Sequence, residues 1–265
     1  MKYALITGGA SGMGRATSLE LAKQGYYVYS CDIKKNSEEI DNIEQIVVDV
    51  QNMHSIEEAY EIVQTKTEQL DAIIHFAGII MMNSLVEISE EEFVRIFNVN
   101  LFGVYRINKI FFPMIVKNKG KIIITTSELA PNKILPFNAI YSISKKSLDA
   151  YAEGLRMELG LLGVPVITLR PGAVETNLLN DSTNEMNQLK DNTNLYRNNT
   201  SKFKKIVDGQ QGTAISPTKI AYLITKILNK NNPKFIYTKN ANIKLKLLNL
   251  VPSKLQLKLF RKLLK

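Results

Sequence analysis

The chain has 265 residues, 45% of them hydrophobic and 22% charged, enough to fill the core of one large α/β domain or two small ones. A single cysteine, Cys31, excludes an internal disulfide and fits a reducing compartment, and no apolar run of about 18 residues is present to span a bilayer. The net charge of +9 belongs to the C-terminal fifth: 12 Lys or Arg and no acid follow Asp208, whereas residues 1–208 hold 22 basic and 25 acidic groups, which argues against a nucleic-acid enzyme with a basic main cleft.

Met1-Lys2 leads directly into the first strand pattern, KYALIT (2–7), without an apolar signal segment, so a cytoplasmic location is expected. A helix follows, with Met13, Ala16, Leu19 and Ala22 at helical spacing and Gly25 closing it. YYVYSCD (26–32) and EQIVVDV (44–50) read as the second and third strands. Ser55 and Glu58 have the spacing of a capping box for a helix running to about Gln69. DAIIHFAG (71–78) reads as strand four, and Ser89 with Glu92 forms a second capping box. The helix from there to about Lys117 is expected to be disturbed near Asn98–Gly103. KIIITTS (121–127) is strand five, 140–162 a long helix, and VPVITLRPG (164–172) strand six. Ser216-Pro217 caps a further helix, and KFIYT (234–238) reads as strand seven. Residues 177–212, rich in Asn, Thr, Ser and Lys, lack clear periodicity before Lys204. They are expected to form a mobile flap over a site, with a surface excursion as the alternative. Leu178, Leu179, Met186, Leu189 and Leu195 are its apolar candidates.

Apolar strands alternating with amphipathic helices imply a parallel sheet covered on both faces. Right-handed crossovers then give an α/β, doubly wound, Rossmann-type domain of about seven strands over residues 1–240, followed by a basic tail, 241–265.

TGGASGMG (7–14) stands between the first strand and the first helix. Glycines let the backbone approach a ligand, and the helix N-terminus offers free N–H groups to a pyrophosphate. Gly8, Ser11, Gly12, Met13 and Gly14 are the candidate phosphate-side residues. Asp32 ends the second strand and can accept hydrogen bonds from a ribose diol, favouring NAD; Lys34 and Lys35 nearby leave NADP open. Asp49 and Val50 either edge an adenine pocket or merely end a strand. No metal site is expected. Tyr141 and Lys145, in YSISK (141–145), are one helical turn apart and share a face. Taken alone, the pair could be a half-buried tyrosine beside a solvated lysine.

The ordered set TGGASGMG, Asp32, Asp49-Val50, Ala77-Gly78, NVN (98–100), TTS (125–127), YSISK and RPGAVET (170–176) resembles the classical short-chain dehydrogenase/reductase family over residues 2–240. The resemblance implies an NAD(P)-dependent oxidoreductase interconverting a secondary alcohol and a ketone. It implies Tyr141 as acid/base, Lys145 as its activating partner, Ser127 as the hydroxyl that polarises the substrate oxygen (Thr126 being the fallback), and Asn100 as the relay-forming amide. Ala77 and Gly78 match the family's cofactor-side motif, and Pro171, Gly172, Val174 and Thr176 match the segment flanking the nicotinamide. A homodimer or homotetramer built on the two long helices is also implied. His75-Phe76 stands where the family usually carries an Asn pair; His75 reads as a filled core or adenine-edge position, with an acid or ligand role as the alternative. The Lys145 ammonium is expected to lower the Tyr141 pKa from its ordinary value of about 10. The other reading of the whole is a non-catalytic dinucleotide-binding sensor or a membrane-associated scaffold.

In the tail, Pro252 separates two segments and Ser253 is placed to cap the second. Leu255, Leu257, Leu259, Phe260, Leu263 and Leu264 fall in one broad helical arc, interrupted by Gln256, with Lys254, Lys258, Arg261, Lys262 and Lys265 opposite. Packing on the body or on another subunit, and peripheral contact with an anionic membrane through 243–265, are the main alternatives. Nucleic-acid contact is not expected, because no binding motif is present. A membrane-facing or tail-lidded site would suit an apolar, hydroxysteroid-, bile-acid- or lipid-like substrate.

Overall fold

The structure is a computed structural model and describes residues 1–208 and 213–265. Seven strands form one parallel sheet: β1 (Lys2–Thr7), β2 (Tyr26–Asp32), β3 (Ile43–Val47), β4 (Ala72–His75), β5 (Lys121–Thr125), β6 (Val166–Pro171) and β7 (Ile236–Lys239), in the order β3-β2-β1-β4-β5-β6-β7. The order reverses between β1 and β4, which opens a crevice at their carboxyl ends.

Strand side chains alternate between two cores. Leu5, Ile73, Ile122 and Ile124 face one side, where they meet α2 (Met53–Gln64), α4 (Gly103–Lys117) and α5 (Ala139–Gly160). Ala4, Ile6, Ile74 and Ile123 face the other, against α1 (Gly12–Lys23) and α8 (Pro217–Leu228). Both faces are covered, which is why these strands read as continuous apolar runs.

The capping box Ser89/Glu92 starts α3 (Glu90–Phe97) as its spacing predicts. The disturbance after it is a π-helical turn, Asn98–Phe102, that carries Asn100 inward. Other boundaries differ from the sequence reading. Asn52, not Ser55, caps α2 by accepting from His54 N, while the Ser55 hydroxyl accepts from Asp49 N at 3.1 Å. The ladder of β3 stops at Val47, so Asp49 and Val50 stand beyond it, and β4 stops at His75.

The segment read as aperiodic is helical: α6 (Asn177–Asn192) and α7 (Arg197–Asp208). Residues 209–212 of that segment lie outside the described residues. The helices are held by a small core of their own, in which Met186, Leu189 and Phe203 bury against Met82 and Phe137. Burying these few anchors outweighs the weak local pattern. Glu87 fixes the connection between the two helices, accepting from Thr193 Oγ1 and from the N–H groups of Asn194 and Leu195.

The tail forms α9 (Ile243–Leu250) and α10 (Ser253–Leu264); Ser253 is inside the second helix, and Pro252 takes the cap position. The predicted apolar arc divides. Gln256 and Leu264 are buried and Phe260 is packed on the small core, with Gln256 Nε2 donating to Leu248 O. Leu255, Leu259 and Leu263 are exposed, at 52%, 41% and 44%. A loop of the body pins the tail: Asn249 accepts from Lys133 N and donates to Asn132 Oδ1, and Lys133 Nζ donates to Val251 O.

Ile73 in β4 is fully buried in the centre of the sheet. Ile73→Ala is expected to cost about 2–5 kcal/mol, read as a lower urea midpoint at unchanged slope.

Candidate active site

The glycine loop closes on β4 at the crevice. Gly8 has φ +70°, and a Cβ there would stand 2.7 Å from Ala77 N; one on Gly14 would stand 1.9 Å from Gly8 O. Only a bare backbone fits, so the N-terminus of α1 opens onto the crevice without obstruction. A groove of about 370 Å³ runs from this loop along the ends of β2 and β4. Gly8, Ser11, Gly12, Met13, Gly14, Asp32, Asp49, Val50, Ala77, Gly78 and Thr176 all line it. Asp32 Oδ2 accepts from Ala10 N at 3.0 Å and Oδ1 from Lys34 N at 3.3 Å, which fixes the carboxylate at the groove edge. The sequence reading missed Arg95 and Asp181, which line the same groove from α3 and α6. Their signal is tertiary, because neither lies in a recognisable motif.

A second cavity, of about 430 Å³, continues from the first, sharing Met13, Phe76, Gly78, Ile79, Thr176 and Leu178 with it. Ser127, Tyr141, Lys145, Pro171, Gly172 and Val174 line it. Ser127 lies just past β5, and Tyr141 and Lys145 lie in the first two turns of α5; all three are more than nine-tenths buried. The Ser127 hydroxyl accepts from Leu129 N at 3.1 Å, and Lys145 Nζ is 5.9 Å from the Tyr141 ring centroid and 3.4 Å from Thr125 O. Thr126 lines the same cavity, with its hydroxyl engaged with Asp149 Oδ1 at 3.1 Å.

Asn100 lines neither cavity. It is fully buried behind Gly78, with Oδ1 accepting from Ile79 N at 2.8 Å and Nδ2 donating to Ile79 O and Ser144 Oγ, both at 3.0 Å. A Cβ on Gly78 would meet Asn100 Oδ1 at 3.2 Å and Lys145 Nζ at 3.4 Å. The glycine therefore lets the amide and the ammonium approach each other from either side. His75 also lies outside both cavities; it is buried, bonds Asn108 Oδ1 through Nε2 at 2.9 Å, and burial lowers its pKa to about 4. It is a neutral core residue and not an acid.

The electrostatics differ from the sequence expectation. Burial raises the Tyr141 pKa to about 12, only partly countered by the hydrogen bond with Ser127, and burial lowers that of Lys145 to about 8. Desolvation penalises the charged form of each group, and it is the dominant cause of both shifts. Tyr141 thus holds its proton at neutral pH. The remaining cavity wall is mostly apolar and comes from segments the sequence reading assigned loosely or not at all: Leu129 and Leu135 after β5, Leu178 and Leu179 of α6, Phe203 of α7 and Leu245 of α9.

Comparison with known proteins identifies the family and agrees with the fold. The family model described as short chain dehydrogenase matches residues 2–187. A 3-ketodihydrosphingosine reductase of Bacteroides thetaiotaomicron is 31% identical over 231 residues, 87% of this chain and 85% of its own. Among solved structures, an alcohol dehydrogenase of Thermococcus sibiricus complexed with 5-hydroxy-NADP superposes with a TM-score of 0.71 at 23% identity, covering 91% of this chain and 97% of that one. A 3-ketoacyl-(acyl-carrier-protein) reductase of Brucella melitensis complexed with NADH gives 0.73 at 22% identity, covering 89% and 96%. With its family motifs gathered along one crevice of a seven-stranded parallel sheet, the chain belongs to the short-chain dehydrogenase/reductase family and is an NAD(P)-dependent oxidoreductase acting on carbonyl or CH–OH groups.

Proposed function

We propose that the protein interconverts a ketone and a secondary alcohol on an apolar, lipid-like molecule, with Tyr141 as the proton donor. The observation that carries this reading is the placement of Ser127, Tyr141 and Lys145 together in a largely apolar cavity that opens into the dinucleotide groove. The nicotinamide, when bound, supplies or accepts the hydride. Ser127 holds the substrate oxygen, and Tyr141 gives it the proton in reduction or takes it in oxidation. A phenol that keeps its proton at pH 7 can donate it to a carbonyl oxygen as the hydride arrives. Lys145 holds the ribose side of the cofactor, and Asn100 fixes the backbone at Ile79 beside it. Asp32 at the groove edge supports NAD over NADP. The relative that acts, by its name, on 3-ketodihydrosphingosine supports a long apolar chain over a compact steroid or bile acid.

Exposed Phe102, Tyr105 and Phe112 beside α4 and Met157 on α5 support a homodimer or homotetramer built on these helices. Among the described residues no helix is long and apolar enough to cross a membrane. The tail supports contact from the surface instead: the exposed stripe Leu255, Leu259 and Leu263 lies beside the basic stripe Lys254, Lys258 and Lys262.

Tyr141→Phe is expected to lower kcat roughly 10²–10⁴-fold with NADH binding retained, read by nicotinamide absorbance and by fluorescence titration. Unchanged turnover would remove the assignment, and wild-type assays with NADH and NADPH read the cofactor preference. Lys145 carries a depressed pKa in the fold, so between about pH 8 and 10.5 the unfolded chain binds more protons there and stability rises with pH. Lys145→Met removes that rise: the variant is expected to be the more stable protein at pH 7, with the gap narrowing by pH 10 in urea titrations. For the tail, full-length protein is expected to co-sediment with anionic vesicles in low salt, and Leu255→Ser/Leu259→Ser to stay in the supernatant. Equal pellet fractions would discard the membrane reading.

A further inference from the structure

The described lining of the catalytic cavity holds two ionisable side chains of opposite sign besides Tyr141, namely Lys145 and Glu128. Lys145 has a place in the chemistry above, and Glu128 has none. Glu128 directly follows Ser127, and its own N–H is tied to Pro171 O at 2.9 Å, so its backbone is fixed next to the group that holds the substrate oxygen. Oε2 accepts from Asn242 N, and Oε1 lies toward Gly172, where a built Cβ would stand 3.2 Å from it. Among the described residues no Lys or Arg comes within ion-pair distance of the carboxylate. Lys246 is the nearby cation that eases its charge, yet burial dominates and pushes the carboxyl above its ordinary range.

Asn138, the residue before α5, lines the same cavity, but its Oδ1 is buried away from the open space, so the carboxylate is the acceptor left for a ligand. A half-desolvated carboxylate without an ion pair is costly unless a ligand donates to it. A hydrocarbon ketone leaves it as it is. An ammonium group brings three donors and no acceptor, together with a positive charge.

We propose that Glu128 selects ketones that carry a protonated amine close to the carbonyl. The assignment rests on the reductase reading above and adds the polar end of its substrate. Because Glu128 adjoins Ser127, the amine belongs near the reacting carbon, and the apolar walls take the chain. Glu128 also staples the start of α9 through Asn242. Glu128→Gln keeps an oxygen for that hydrogen bond and removes only the charge, so it separates recognition from support.

The test uses full-length protein with NADH or NADPH, whichever the wild type prefers. Its two ketones are 3-ketodihydrosphingosine, which is an amino ketone, and the chain-matched analogue without the amino group. Wild type is expected to favour the amino ketone at least tenfold in kcat/KM, and Glu128→Gln to bring the ratio close to one, mainly through KM. Competition binding of octadecylamine against octadecanol in the cofactor complex gives a readout free of turnover, with the amine preference again lost in Glu128→Gln. Equal use of both ketones by the wild type, or a preference that survives in Glu128→Gln, overturns the assignment while leaving the reductase reading in place. If neither ketone is reduced but the Glu128-dependent amine preference persists in binding, the amine site stands and the reductase reading falls.

Discussion

The proposed active site depends on keeping a lysine ammonium and a tyrosine phenol out of water on adjacent turns of one helix. Burying either group is costly, and the rest of the structure is arranged around that cost. The start of α5 is pressed against the carboxyl end of β5, where Thr125 offers its carbonyl to Lys145. The π-helical turn before α4 carries Asn100 inward, so that its amide secures the chain at Ile79 and the Ser144 hydroxyl within α5. Gly78 lies between amide and ammonium, where a Cβ would press on both. The site is therefore held by interactions between β5, α5 and the π-turn, each of which tolerates little displacement in a close-packed interior.

The two cavities form one continuous crevice because α6 borders both. Thr176, Asn177 and Asp181 contribute to the nucleotide side, and Leu179 and Ser182 to the catalytic side. The loop after β5 makes a second connection. It supplies Ser127 and Glu128 to the cavity, while Asn132 and Lys133 hold the tail. Anything that shifts α9 and α10 is thus linked through a few residues to the substrate wall, where Leu245 and Asn242 take part directly. This places the exposed leucine stripe of α10 in mechanical continuity with the cavity.

Much of this was legible in the chain. Apolar runs alternating with amphipathic helices gave the parallel sheet, and the glycine loop stood out between strand and helix. The spacing of Tyr141 and Lys145 gave a shared helix face, and Asn98–Gly103 marked a broken helix. Where local rules missed, a distant partner had intervened. Asn52 displaced Ser55 as a cap because Ser55 was engaged by Asp49 N. Residues 177–208 became helical on the strength of Met186, Leu189 and Phe203, whose partners Met82 and Phe137 are remote in sequence.

The sequence by itself determined the order of strands and helices, the glycine loop between the first strand and the first helix, and the shared helix face of Tyr141 and Lys145, because these are written in short-range periodicity and spacing. Only the tertiary structure decided the direction in which the pKa values of Tyr141 and Lys145 move, since desolvation depends on what surrounds a group and not on its neighbours in the chain. It also decided which tail leucines pack and which face outward, and it brought Glu128 and Asn138 to one cavity wall, for the same reason.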